Sequence, residues 1–140
     1  MNRRDTRLEL HRHLVALGLS PQPVQWGQTA VWIGWRVGMT GGEVVLRRDG
    51  DDLVVADLES GASPGTDIVP GLVALLRRLS GAMPDVVQIR GMMLPSMARA
   101  SLHKARARLA TRLCALGATF QTIDGERWLV FPCAAFSRVP

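Results

Sequence analysis

The sequence predicts an α+β fold, a mostly antiparallel sheet with packed helices in the order α-βββ-α-β-α-ββ. Three observations carry this. Runs alternating apolar and polar residues flank short glycine turns, above all at Asp49-Gly50 and Asp124-Gly125, the pattern of antiparallel hairpins. Two later segments place apolar residues at helical spacing and meet Gly81 and Gly117. A strand-helix-strand run over residues 53–90 leaves room for a right-handed crossover. With 140 residues, 47% hydrophobic and 21% charged, the chain suits one domain, 1–140, with its own core.

The elements follow in order. Thr6 opens a capping box with Glu9 in "TRLE". Leu10, Leu14 and Leu17 then share a helical face, and Gly18 ends it. "LSPQPVQ" reads as a linker or irregular edge, because Pro21 and Pro23 exclude a helix interior. "AVWIGWRV" alternates, with Val31, Ile33, Trp35 and Val37 to one side and Trp32, Gly34 and Arg36 to the other. "GMTGG" is a turn, and "EVVLRRDGDDLVVADL" is a hairpin about Asp49-Gly50. After the polar loop "ESGASPGTD", "DIVPGLVALLRRLSG" reads as a helix capped by Asp67 or Thr66, with Pro70 in its first turn and Gly81 at its close. "DVVQIRGMML" is a strand between Pro84 and Pro95. Residues 98–116 return to helical spacing, with a stripe of Leu102, Ala105, Leu109, Leu113 and Leu116 stopped by Gly117. "TFQTI" and "RWLVF" close the chain as a hairpin about Asp124-Gly125.

No apolar run approaches the roughly 20 residues that span a bilayer. The charged start "MNRRDTRLELHRHL" lacks the apolar stretch of a secretory signal. Membrane insertion is therefore not expected, and the chain reads as cytoplasmic. Cys114 and Cys133 have no C-x-x-C spacing and read as reduced, buried thiols, with Cys114 half-buried on the basic helix.

The net charge of +5 is unevenly spread. Residues 43–67 carry two arginines against seven acids, whereas residues 77–112 carry seven arginines and one lysine against Asp85. Such a division either orients a partner or lets the two segments pack on each other. The basic helix is the most distinctive surface. Lys104, Arg108 and Arg112 recur every four residues along one flank of the leucine stripe, and Arg99 and Arg106 lie along the other. These five are the candidate partner-binding residues, with an acidic protein the expected partner. Nucleic acid is a lesser alternative, since no turn-helix pair, RNA-binding aromatic motif or zinc module accompanies the charge. Trp32 beside Arg36 is a possible second contact, set against Trp32 simply packing beneath a helix.

No catalytic motif is complete, and no catalytic, cofactor or metal residue is assigned. His11 and His13 stand two apart on a helix and cannot chelate together. There is no G-x-S-x-G elbow and no G-K-[ST] phosphate loop.

Residues 43–132 resemble the core of the GCN5-related N-acetyltransferase fold, with "ARLATRLCALGATF" like that family's fourth helix leading into its sixth strand. The resemblance implies an acetyltransferase-like architecture. That family binds acetyl-CoA through an Arg/Gln-x-x-Gly-x-Gly/Ala loop at a helix N-terminus. Here "SGASPGTDIVPG" has no such Arg or Gln, sets Asp67 near the phosphates, and loses an N–H donor at Pro70. The chain also has no tyrosine to serve as a general acid. No cofactor is expected.

Across residues 14–132 the chain also resembles the LcrR family, the low-calcium-response regulators of bacterial type III secretion. The likeness rests on "LGL" before "LSPQP", then "WRV", "LLRRLSGAMPD", "IRG", "RLATRLCALGA" and "GERWLVF", in order. It implies a noncatalytic cytoplasmic accessory protein in virulence, acting by protein contact on production or export of needle-tip or translocator proteins. The alternatives are a divergent acyltransferase and a nucleic-acid-binding regulator.

Overall fold

A computed structural model describes residues 3–25, 27–60, 68–91 and 100–138; for residues 3–5, 60, 100–106, 137 and 138 it describes the backbone alone. The first helix, α1, spans Arg3–Ala16. Thr6 therefore lies inside the helix and does not cap it. Leu10 and Leu14 are fully buried. Gly18 adopts φ +84°, and the Leu19 N–H bonds the Leu14 carbonyl at 3.1 Å, closing the helix as expected of a left-handed glycine.

The next segment is the irregular edge and not the linker: "LSPQPVQ" contains a strand, β1 (Gln22–Gln25), paired antiparallel to β2 (Trp32–Met39). Pro23 is tolerated because β1 is the sheet edge, where one side of the strand needs no donor. The pairing slips at Ile33, with Val24 opposite Gly34 and Gln25 opposite Trp32. One inserted residue reverses the alternation beyond it. Trp32 thus joins the face of Trp35, although simple alternation sets them on opposite faces.

Strands β3 (Gly42–Asp49) and β4 (Asp52–Ser60) form the expected hairpin, with the turn at Gly50-Asp51, one residue later than read. Gly50 takes φ +58° at the first turn position, which a side chain would resist. A second bulge leaves Ala56 unpaired between Val45 opposite Asp57 and Leu46 opposite Val55. A Cβ on Gly34 would lie 2.5 Å from the Leu46 carbonyl oxygen, so glycine lets β2 approach β3.

Helix α2 (Val69–Ala82) carries Pro70 in its first turn and passes through Gly81, ending instead where the Met83 N–H bonds the Leu79 carbonyl. Its start at Ile68 has no side-chain cap; the expected caps Thr66 and Asp67 lie outside the described residues. Strand β5 (Gln88–Gly91) pairs parallel to Asp52–Val55 of β4. Helix α3 (Ala100–Leu116) ends at Gly117, φ +121°, with the Ala118 N–H bonded to the Leu113 carbonyl. Strands β6 (Thr119–Ile123) and β7 (Glu126–Pro132) turn at Asp124 and Gly125, both at positive φ, and a 3-10 turn, Cys133–Arg138, follows.

The result is α+β: the described residues form three helices and a seven-stranded, mostly antiparallel sheet ordered β1-β2-β3-β4-β5-β7-β6. On one face Val37, Val44, Leu46, Leu53, Ile89, Leu129 and Phe131 join the buried leucines of α1, α2 and α3 in one core. The other face carries Val45, Val54 and Val130 beneath a lattice of ion pairs, and no described helix packs there. A face packed against helices and a face overlaid by paired charged side chains account for the apolar-polar alternation in the sequence. Among the described residues, no helix is long and apolar enough to cross a membrane.

Candidate functional site

The basic helix forms one wall of a groove. Along α3, Ala107, Thr111 and Ala115 recur every four residues and present a narrow row of small side chains. The first residues of α2, Val69 and Pro70, face that row. Arg108 and Arg112 stand beside it, both exposed. The cavity measures about 660 Å³. Leu109 and Leu113 point the opposite way and are buried, so the core fixes which side of α3 is presented. Thr111 bonds its hydroxyl back to the Ala107 carbonyl at 3.0 Å, leaving its methyl as the outward feature.

Of the five candidate basic residues, the structure brings Arg108 and Arg112 to this groove. Lys104 and Arg106 lie on the described backbone of α3, but their side chains are outside the described residues, as is Arg99 entirely. The sequence reading singled out the arginines and missed the groove. Its signal was available in Ala107, Thr111 and Ala115 at helical spacing; the contribution of Val69 and Pro70 was not, because it depends on how α2 docks.

Trp32 and Arg36 do not form one site. The bulge at Ile33 turns Trp32 toward α1, where it packs edge-on to Trp35 at 4.9 Å between centroids and under the Arg7 guanidinium at 4.2 Å. Trp35 donates its indole N–H to the Arg7 carbonyl at 3.1 Å. Arg36 lies on the opposite face and pairs with Glu43 at 3.6 Å.

The basic and acidic segments are partly folded against each other. Arg90 bonds Asp52 at 2.8 Å, lies 3.7 Å from Asp49, and stacks over Trp128 at 4.4 Å. Arg47 bonds Asp49 at 3.1 Å and donates to the Ile33 carbonyl. On the helix side, Arg48 is buried and bonds Asp85, lies 3.2 Å from Glu9, and donates to the Gly50 carbonyl. The hydrogen bond from Arg48 holds the Asp85 carboxyl below the usual carboxylate range, against a smaller opposing effect of desolvation.

Both cysteines are free thiols. Cys114 is exposed on α3 and not half-buried in the core, because it follows Leu113 onto the outer side of the helix. Cys133 is half-buried, and burial, then the charge of Asp52, raises its thiol pKa. Among the described residues, no three His, Cys, Asp or Glu side chains gather as a metal site.

No family model matches the chain, and no curated protein matches it. The groove must therefore be judged by its own chemistry. Small, apolar walls admit a row of apolar side chains, and the adjacent guanidiniums suit carboxylates on the same ligand.

Proposed function

We propose that this chain is a noncatalytic cytoplasmic accessory protein of type III secretion, which holds an acidic, amphipathic segment of a needle-tip or translocator protein. Two things support the reading. The motif order resembles that of the LcrR family over most of the chain. The observation that carries the contact surface is the exposure of Arg108 and Arg112 beside the α2–α3 groove. Charges so placed raise association rates and select partners more than they add affinity.

Replacing Lys104, Arg108 and Arg112 together with Glu tests it. The variant keeps its circular dichroism and melting temperature, because exposed charges such as those of Arg108 and Arg112 contribute about 0–1 kcal/mol. It binds the partner more weakly and fails to restore export of tip or translocator proteins in a deletion strain. Wild-type binding weakens as salt rises, since charges are screened beyond about 8 Å at physiological ionic strength. A folded triple variant that restores normal export removes the basic helix from the function.

A second reading, a divergent acyltransferase, draws on the parallel β4–α2–β5 unit, which sets the N-terminus of α2 beyond the carboxyl end of β4. Pro70 argues against it by removing a donor at that terminus. Millimolar acetyl-CoA is expected to leave the melting temperature unchanged. A ligand at a hundred times its dissociation constant stabilises by about 2.7 kcal/mol; an upward shift of that order would favour the enzyme.

A further inference from the structure

The two edges of the sheet are built differently. Edge strand β1 carries Pro23 and a register slip, both of which discourage pairing with another strand. Edge strand β6 carries neither. Its sequence, "TFQTI", has no charge and no proline, and Thr119, Phe120, Gln121 and Thr122 are all exposed. Phe120 is 44% exposed, with Arg127 stacked over its ring at 4.4 Å.

The hairpin register defines what this edge offers. A two-residue turn makes Ile123 and Glu126 a hydrogen-bonded pair, so Gln121–Trp128 and Thr119–Val130 are hydrogen-bonded as well. The backbone groups of Phe120 and Thr122 therefore point away from β7, toward the outer edge.

We propose that β6 is a self-association edge, at which two copies of this chain pair antiparallel about a two-fold axis through Gln121. Phe120 of each copy then faces Thr122 of the other, and each such pair exchanges two backbone hydrogen bonds. Gln121 meets its own counterpart as a non-hydrogen-bonded pair, close enough for the side-chain amides to bond each other. Phe120 lies beside the Thr122 methyl of the second copy, which covers its exposed ring.

Charge favours a second copy as the occupant. Directly opposed like charges destabilise a pairing, and β6 brings none to the axis. The pairing uses a different surface from the α2–α3 groove, so either proposal can fail alone.

Sedimentation velocity and register-specific cross-linking test the idea. The wild-type protein sediments as a dimer at about 100 µM, near the weak end expected of a small interface. Thr122→Pro removes an outward N–H and leaves the ladder to β7 intact; it sediments as a monomer with an unchanged circular dichroism spectrum. Phe120→Lys, a charged edge residue, gives the same result should the proline disturb folding. In a chain with Cys114→Ser and Cys133→Ser, Gln121→Cys forms an intermolecular disulfide under mild oxidation, because its Cα atoms stand about 4.5 Å apart. Thr119→Cys does not, since its counterparts lie about four residues apart along the pairing, roughly 13 Å. A monomeric wild type, a dimer that survives both edge substitutions, or equal cross-linking at both positions overturns the proposal.

Discussion

Arg48 projects from a strand interior into the helix-side core, where a charge is costly unless matched. Its match comes from two distant places, Glu9 on α1 and Asp85 just after α2. The folded pKa of Asp85 lies below its unfolded value, so its contribution to stability is complete above the ordinary carboxylate range. That contribution is lost as pH falls through the lower, folded value. Asp85→Asn is therefore expected to destabilise at neutral pH by no more than about 1 kcal/mol, because the carboxylate is half exposed. The gap between wild type and variant in urea midpoint closes as the solution is acidified. A gap that stays constant to about pH 2, well below ordinary carboxylate values, would show that the charge is not the cause. Alternation in "VVLRR" already puts Val44, Leu46 and Arg48 on one face, so the burial of Arg48 was legible. Its partners were not, since no local spacing connects Glu9, Arg48 and Asp85.

Helix α3 shows which features of an element its sequence reveals. The leucine stripe gave its inward face, and Leu109 and Leu113 are indeed buried. Leu109→Ala is expected to cost about 2–5 kcal/mol, and Arg112→Ala about 0.5 kcal/mol or less. Chemical denaturation of the two variants checks this; equal losses would mean that α3 is turned the other way. Strand β2 shows the limit. Its residues alternate in "VWIGW", but the bulge at Ile33 exists only in the pairing with β1. Strand β1 was legible only as one of two readings, a linker or an irregular edge, because Pro21 and Pro23 are compatible with a strand only at an edge. One hidden element therefore misplaced Trp32. Likewise Gly81 reads as a stop, but glycine ends a helix only where it takes a left-handed conformation, and Gly81 stays helical.

At the scale of the whole molecule, the sequence revealed two charged segments but not how they are used. Folding sets Arg90 against Asp49 and Asp52, which consumes part of each. The same region has a mechanical meaning. Among the described residues, the antiparallel meander β1–β4 meets the β5-β7-β6 unit through one ladder, Asp52–Val55 with Gln88–Gly91. That ladder is short and parallel, the less stable kind of pairing per residue. Native-state hydrogen exchange should therefore separate two groups of amides. Those between β2, β3 and β4 wait for global unfolding, whereas those joining β4 to β5 exchange through a smaller opening. A single shared opening free energy for both groups would contradict this. The sheet thus has a grain: it is strong within each half and weakest along one four-residue line. Along that line Arg90 clasps Asp49 and Asp52 on the face away from the described helices, so strain applied to the molecule would be met there by ion pairs rather than by helix packing.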